Sequence, residues 1–322
     1  MTPSSSRRSV LALAGAAAAG LAWPLSAQAR NKAAPVTGRR QVGLLTVETV
    51  DLSPQFLAFW RAAQAAPDAE ARWALWQTHY GFAAVPPTPQ GQQMARAGLE
   101  RVWPRYADAI PAAEAGLVGK GEAPFQTLEA VARLLALDTP ATIQLTGFIG
   151  MFEGNAFAFR GRYPTLNLPL ETEDDRLRLQ AAHEGTHVIQ MTLNSAGGGW
   201  VRSVATTILQ EGLAMHASQR IVPGLADEAY VSGRPGWWAE AQARRAGILA
   251  GVTPHLADAT SEAVSRFTFG PGTTGLNREA YALGWWTVGR LLDEGRSLSE
   301  LARLPEAEHA ALIGEAIRRM QV

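Results

Sequence analysis

The apolar and polar positions divide the chain into stretches of different texture. Val10 to Leu25 is an almost unbroken apolar run. Residues 30–40 are rich in Ala, Pro and Arg and read as a loose arm, and Val42 to Val50 is β-prone, long enough for one strand. Ser53-Pro54 marks a helix start, with Ser as N-cap and Pro at the first helical position. From there to about Leu137 the pattern is helical, interrupted at Pro86–Pro89, Pro104 and Gly119–Pro124. At Ala141 the period changes to two: Ile143, Leu145, Gly147 and Ile149 alternate with Thr142, Gln144, Thr146 and Phe148. Asn155–Arg160 and Thr165–Leu170 repeat the alternation between Gly and Pro breaks, so three short strands are expected, in one antiparallel sheet. After Thr172 the chain is helical to its end, with turns at Ser195–Gly199, Pro223–Gly224, Gly233–Gly236 and Phe269–Gly275.

The fold class that follows is α+β, mostly helical, with a small antiparallel sheet. Residues 30–140 form an N-terminal helical region and residues 141–322 a core, as two lobes or as one compact domain. Trp60, Trp73, Trp76 and Trp103 lie in the first region and are expected to pack its helices together. The pairs Trp237-Trp238 and Trp285-Trp286 read as part of a large helical core, with an aromatic wall for substrate as the other reading.

Composition narrows the functions. The 322 residues are 47% hydrophobic, enough to bury a sizeable core. Basic and acidic residues balance at 29 each, which excludes a strongly basic nucleic-acid-binding surface. There is no cysteine, so disulfides, thiolate nucleophiles and Cys-ligated metal are excluded. Residues 1–29 have the layout of a secretory signal peptide: Arg7-Arg8, the apolar run, then Ala27-Gln28-Ala29 as a small-x-small cleavage site. The paired arginines suit the twin-arginine type, a general secretory signal being the alternative. A mature chain from Arg30 would be periplasmic or secreted, and no later segment is long enough for a membrane span.

The chemistry concentrates in residues 183–187, His-Glu-Gly-Thr-His, the HExxH pattern of zinc hydrolases. On a helix, residues four apart lie only ~40° apart around the axis, so His183 and His187 point the same way and can share one metal ion. Glu184 projects ~60° from His187, placed beside the metal rather than on it. Thr172-x-x-Asp175 reads as a capping box, and the helix should end near Asn194. The competing reading is a helix whose histidines bond to backbone. A catalytic zinc takes three protein ligands, and Leu193 stands where an extended motif would place a third His. Glu211 is the candidate: it sits among Ile208, Leu209, Leu213 and Met215, beside Gly212, which allows another helix to approach. A partly exposed Glu on a helix rim is the alternative.

HEGTH, 23 intervening residues and then Glu211-Gly212-Leu213-Ala214 resembles the gluzincin zinc metallopeptidases, closest to the secreted, largely uncharacterised bacterial predicted zinc-dependent proteases with an HExxH…EGLA pattern. His187-Val188-Ile189-Gln190 and Tyr281-Ala282-Leu283-Gly284 add to the resemblance, which covers roughly residues 141–295. It implies a gluzincin-like core and one Zn²⁺ per chain on His183, His187 and Glu211. Glu184 would be the general base of a metal-activated water, and Tyr281 a donor to the tetrahedral oxyanion. Ordinary packing is the other reading of Tyr281, and His216, His255 and Arg278 are rival donors. His216 lies ~140° around the helix from Glu211, so the two should not face one metal. Asn155, Ala156 and Phe157 are similar to the edge strand that pairs with extended substrate in thermolysin-like enzymes, against plain sheet core as the alternative. The expected function is an exported metallopeptidase acting on peptide or protein substrates. A non-peptide zinc hydrolase and a metal-binding periplasmic protein without turnover are the alternatives. His79 and His309 have no ligand-type spacing.

Overall fold

Two β-prone segments flank the first helical stretch, and the computed structural model joins them in one sheet. It describes residues 32–86, 88–194, 202–231 and 234–321. The segment read as a signal peptide lies outside the described residues, as does the glycine run at 197–199. β1 (Val36–Val42) and β2 (Leu45–Asp51) form an antiparallel hairpin closed by the pair Val42 and Leu45. Gly43 takes a positive φ of 57° in its two-residue turn, a conformation that costs glycine little.

The chain then runs through α1 (Ser53–Ala63), α2 (Ala69–His79), α3 (Pro89–Val102), α4 (Ile110–Ala115) and α5 (Ala123–Leu134). It returns as β3 (Ala141–Phe148), parallel to β2. β4 (Phe157–Arg160) lies at the edge, and β5 (Pro164–Pro169) inserts between it and β3, parallel to β3 and antiparallel to β4. The sheet order is β1-β2-β3-β5-β4.

The sheet is therefore mixed, and the expectation of an antiparallel one is corrected. Alternation of period two reports which face a residue occupies, not which way the neighbouring strand runs. Parallel pairing needs a long crossover, and the helices between β2 and β3 supply it. β5 is buried at all six positions, as an interior strand should be. Residues 36–40, read as part of a loose arm, belong to β1, and the expected strand at Val42–Val50 spans the end of β1, its turn and most of β2. The same hairpin ties the N-terminal region to the sheet that continues into residues 141–169. Tyr80 adds a second tie: its hydroxyl donates to Ile149 O at 2.7 Å and accepts from Ile149 N at 2.9 Å.

The rest is helical: α6 (Asp174–Leu193), α7 (Val204–Ile221), α8 (Asp227–Val231), α9 (Trp237–Ala243), α10 (Arg245–Val252), α11 (Ser261–Thr268), α12 (Glu279–Asp293), α13 (Leu298–Ala302) and α14 (Glu306–Gln321). The fold class is α+β and mostly helical, with the small sheet against α6. Helix α6 ends at Asn194 as expected, but the capping box does not form. Glu173 occupies the N-cap without a side-chain bond, and Thr172 N–H closes a turn onto Pro169 O. Asp174 and Asp175 still complement the positive helix end.

Helix α7 is the axis of the molecule. Every residue from Val204 to Ser218 is buried, with α6, α12, α13 and α14 around it. Two glycines let α7 and α12 approach. A Cβ built on Gly212 would lie 2.4 Å from Gly284 O, and one on Gly284 2.7 Å from Gly212 N. The four tryptophans of the first region pack as expected: Trp73 stacks on Trp76, and Trp60 meets Trp103. Among the described residues, no helix is long and apolar enough to cross a membrane.

Candidate functional site

His183 and His187 lie one turn apart on α6, where the four-residue spacing puts both rings on one side. Their centroids are 5.1 Å apart. The close Gly212–Gly284 crossing seats α7 so that the adjacent Glu211 faces them. Glu211 Oε2 is 3.3 Å from His183 Nε2 and 3.8 Å from His187 Nε2. One ligand atom from each residue falls within 4.8 Å of the others, so the three can hold a metal ion. Ligand atoms at bond lengths near 2.0–2.1 Å in a tetrahedral site are about 3.4 Å apart, which the two measured distances approach. The side chain of Glu211 is 3% exposed. Burial alone would raise its pKa, but the His187 and His183 imidazoles outweigh it and hold the carboxylate well below its ordinary range.

Glu184, on the same helix, is buried, and its environment differs. Burial and the neighbouring Glu211 charge push its pKa up to about 7, against the opposing pull of His183, the Ala158 backbone N–H and Arg202. A carboxyl near 7 exchanges a proton readily at neutral pH. Ala158 belongs to β4, so the edge strand and the buried carboxylate adjoin.

A cleft of about 120 Å³ opens beside these residues, lined by His183, Glu184, Asn155, Ala156, Arg278 and Tyr281 among others. Of the three residues expected on a substrate strand, Asn155 and Ala156 line it just before β4. Phe157 does not: its ring packs with Phe82, Phe148 and Phe159. Tyr281 is 2% exposed. Burial and the Glu211 and Glu184 charges keep its phenol protonated well above neutral pH, with Arg278 and Arg202 acting the other way. The Tyr281 hydroxyl is therefore a donor, not a phenolate. Arg278 lies over the Tyr281 ring, its guanidinium carbon 3.6 Å from the centroid.

The remaining candidates separate. His216 stacks on Trp285 at 4.3 Å and bonds through Nε2 to Trp285 O, away from the metal-type cluster. His255 packs against Phe267. His309 is a core histidine bonded to Thr206 Oγ1 and facing Leu304 O. Trp237, Trp238, Trp285 and Trp286 form one aromatic cluster that Tyr230 joins, and of these rings Tyr230 alone reaches the cleft.

Arg202 escaped the sequence reading. It is buried, bonds Gln210 Oε1 at 2.6 Å and lowers the Glu184 pKa. Its place just before α7 carries no local signature, so no spacing rule would have found it. No protein-family model matches the chain, and no curated protein and no solved structure is significantly similar to it.

Proposed function

We propose that this chain is an exported zinc-dependent metallopeptidase. The observation that carries the reading is the convergence of His183, His187 and Glu211, from two helices, on one point beside a buried carboxyl and a cleft. Two imidazole nitrogens and one carboxylate are a donor set suited to zinc, with room for a fourth ligand. Bound there, zinc supplies a Lewis acid that polarises a carbonyl and eases deprotonation of water.

The chain's own residues do the rest. Glu184 takes a proton from water and later returns it to the leaving amine, a task for which its buried place beside His183 in the cleft suits it. Tyr281, protonated and buried, donates its hydroxyl hydrogen toward the carbonyl oxygen as negative charge grows there. The low polarity around both strengthens these interactions. The β4 edge beside Glu184 offers backbone groups to an extended peptide. This edge supports peptide or protein as the substrate class, and the leader-like residues 1–29 support a reaction in the periplasm or outside the cell.

The test is Glu184→Gln in the purified chain from Arg30, assayed on a mixed peptide pool beside metal analysis. The reading expects full metal retention and hydrolysis lowered by at least about 100-fold. Hydrolysis near wild type in that variant would overturn it. No cleavage of any peptide by the zinc-loaded wild type would favour a non-peptide hydrolase or a metal-binding protein without turnover.

A further inference from the structure

Arg278 is 6% exposed, yet it lines the cleft. Its Nε and Nη2 are buried and have no hydrogen-bond partner among the described residues. An unpaired guanidinium shielded from water is costly, so such an arrangement calls for an anion. Nε and Nη2 form one edge of the guanidinium, the edge that meets both oxygens of a carboxylate at once. One face is already taken by the Tyr281 ring. The Tyr281 phenol feels the charges of Glu211 and Glu184 as well as that of Arg278. Arg278 and Tyr281 share this cleft with His183 and Glu184.

The backbone holds the group in place. Arg278 has φ 68° and ψ 33°, the left-handed region, which costs a non-glycine residue about 1 kcal/mol. The neighbouring Glu279 is fully buried, and its carboxylate accepts from the N–H and hydroxyl of both Thr273 and Thr274, fixing the loop before Arg278. Trp237 Nε1 donates to Asn277 O and fixes the preceding residue. A strained residue held by this many bonds, with a dry cationic edge in a cleft, is built for a ligand.

We propose that Arg278 is the subsite for a carboxylate of the substrate, and that this carboxylate is the free C-terminus of a peptide. The proposal rests on the peptidase reading. It makes the chain an enzyme that trims peptides near their C-terminus rather than one that cuts within long chains. An acidic side chain carries the same chemistry and forms the contrasting arm of the test.

The experiment compares acetyl-Ala-Ala-Phe as free acid and as C-terminal amide, with a third amidated peptide carrying an internal Glu. Cleavage is read as kcat/KM, and binding of the same peptides by calorimetry. The wild type should favour the free acid by about ten- to hundredfold, the value of a charge-assisted bidentate contact. The amidated Glu peptide should not recover the preference. Arg278→Gln should collapse the ratio toward one through KM, and Arg278→Lys should restore part of it, with metal content and melting curve as fold controls. Equal rates and equal binding for acid and amide in the wild type would overturn the proposal while leaving a peptidase. Recovery of the preference by the internal Glu would overturn the C-terminal assignment. If no peptide is cleaved yet the acid still binds more tightly than the amide, the subsite stands and the peptidase reading falls.

Discussion

Gly212→Ala tests whether the α7–α12 crossing builds the site. The added Cβ would lie 2.4 Å from Gly284 O, 2.5 Å from Val288 Cγ2 and 2.8 Å from Gly284 C. Ordinary contact begins near 3.4 Å. The obstacle is backbone, which cannot rotate away, so the helices must part by about 1 Å. Overpacking of this kind costs about 3 kcal/mol, and the better helix propensity of Ala returns up to about 1 kcal/mol. The net loss is about 2 kcal/mol, equivalent to roughly 3 °C in Tm for a chain of this size. Gly185→Ala, on α6, is the contrast: its Cβ meets only side chains, Leu128 Cδ2 at 3.3 Å and Val131 Cγ2 at 3.6 Å. That variant should be neutral or slightly more stable. Thermal unfolding of both, followed by circular dichroism, decides the matter. A Gly212→Ala protein as stable as the wild type, or two glycine variants that behave alike, would refute the reasoning.

Three further outcomes are expected. Glu279→Ala leaves the partly buried donors of Thr273 and Thr274 without their acceptor and should cost on the order of 2 kcal/mol in denaturant unfolding; a change within about 0.5 kcal/mol would contradict the anchoring role. Tyr80→Phe removes a hydroxyl that bonds both Ile149 N and Ile149 O, and should lower stability by about 1–3 kcal/mol by the same measurement. Burial lowers the His309 pKa below its ordinary 6.5, so below that value the unfolded chain binds more protons than the native one. The His309 contribution is therefore complete above pH 6.5 and is lost as the pH falls toward the depressed native value. His309→Gln should flatten part of the decline in melting temperature below pH 6.5, and an unchanged profile would argue against it.

What was legible in the sequence was local or nearly so. His183, Glu184 and His187 share one helix, and helical geometry alone sets their directions. Glu211 was readable because a carboxylate among apolar neighbours beside Gly212 implies both a partner and a close crossing. β1 escaped because six of its seven residues are exposed, so VTGRRQV shows no buried alternation and is a strand only through its pairing with β2. The direction of β3 against β2 and β5 escaped because alternation is blind to it. Thr172 looked like a cap in sequence, but its backbone is spent on a turn to Pro169. The setting of Arg278 depends on a left-handed backbone, a buried Glu279 and two threonines acting together, and no periodicity reports that.

The central claim is that His183, His187 and Glu211 bind one metal ion used in hydrolysis. The direct measurement is metal content of the purified chain from Arg30 after zinc loading and dialysis, beside Glu211→Ala. The account predicts about one zinc per chain in the wild type and clearly weakened retention in the variant. No zinc in the folded wild type, or equal zinc in both proteins, would contradict it.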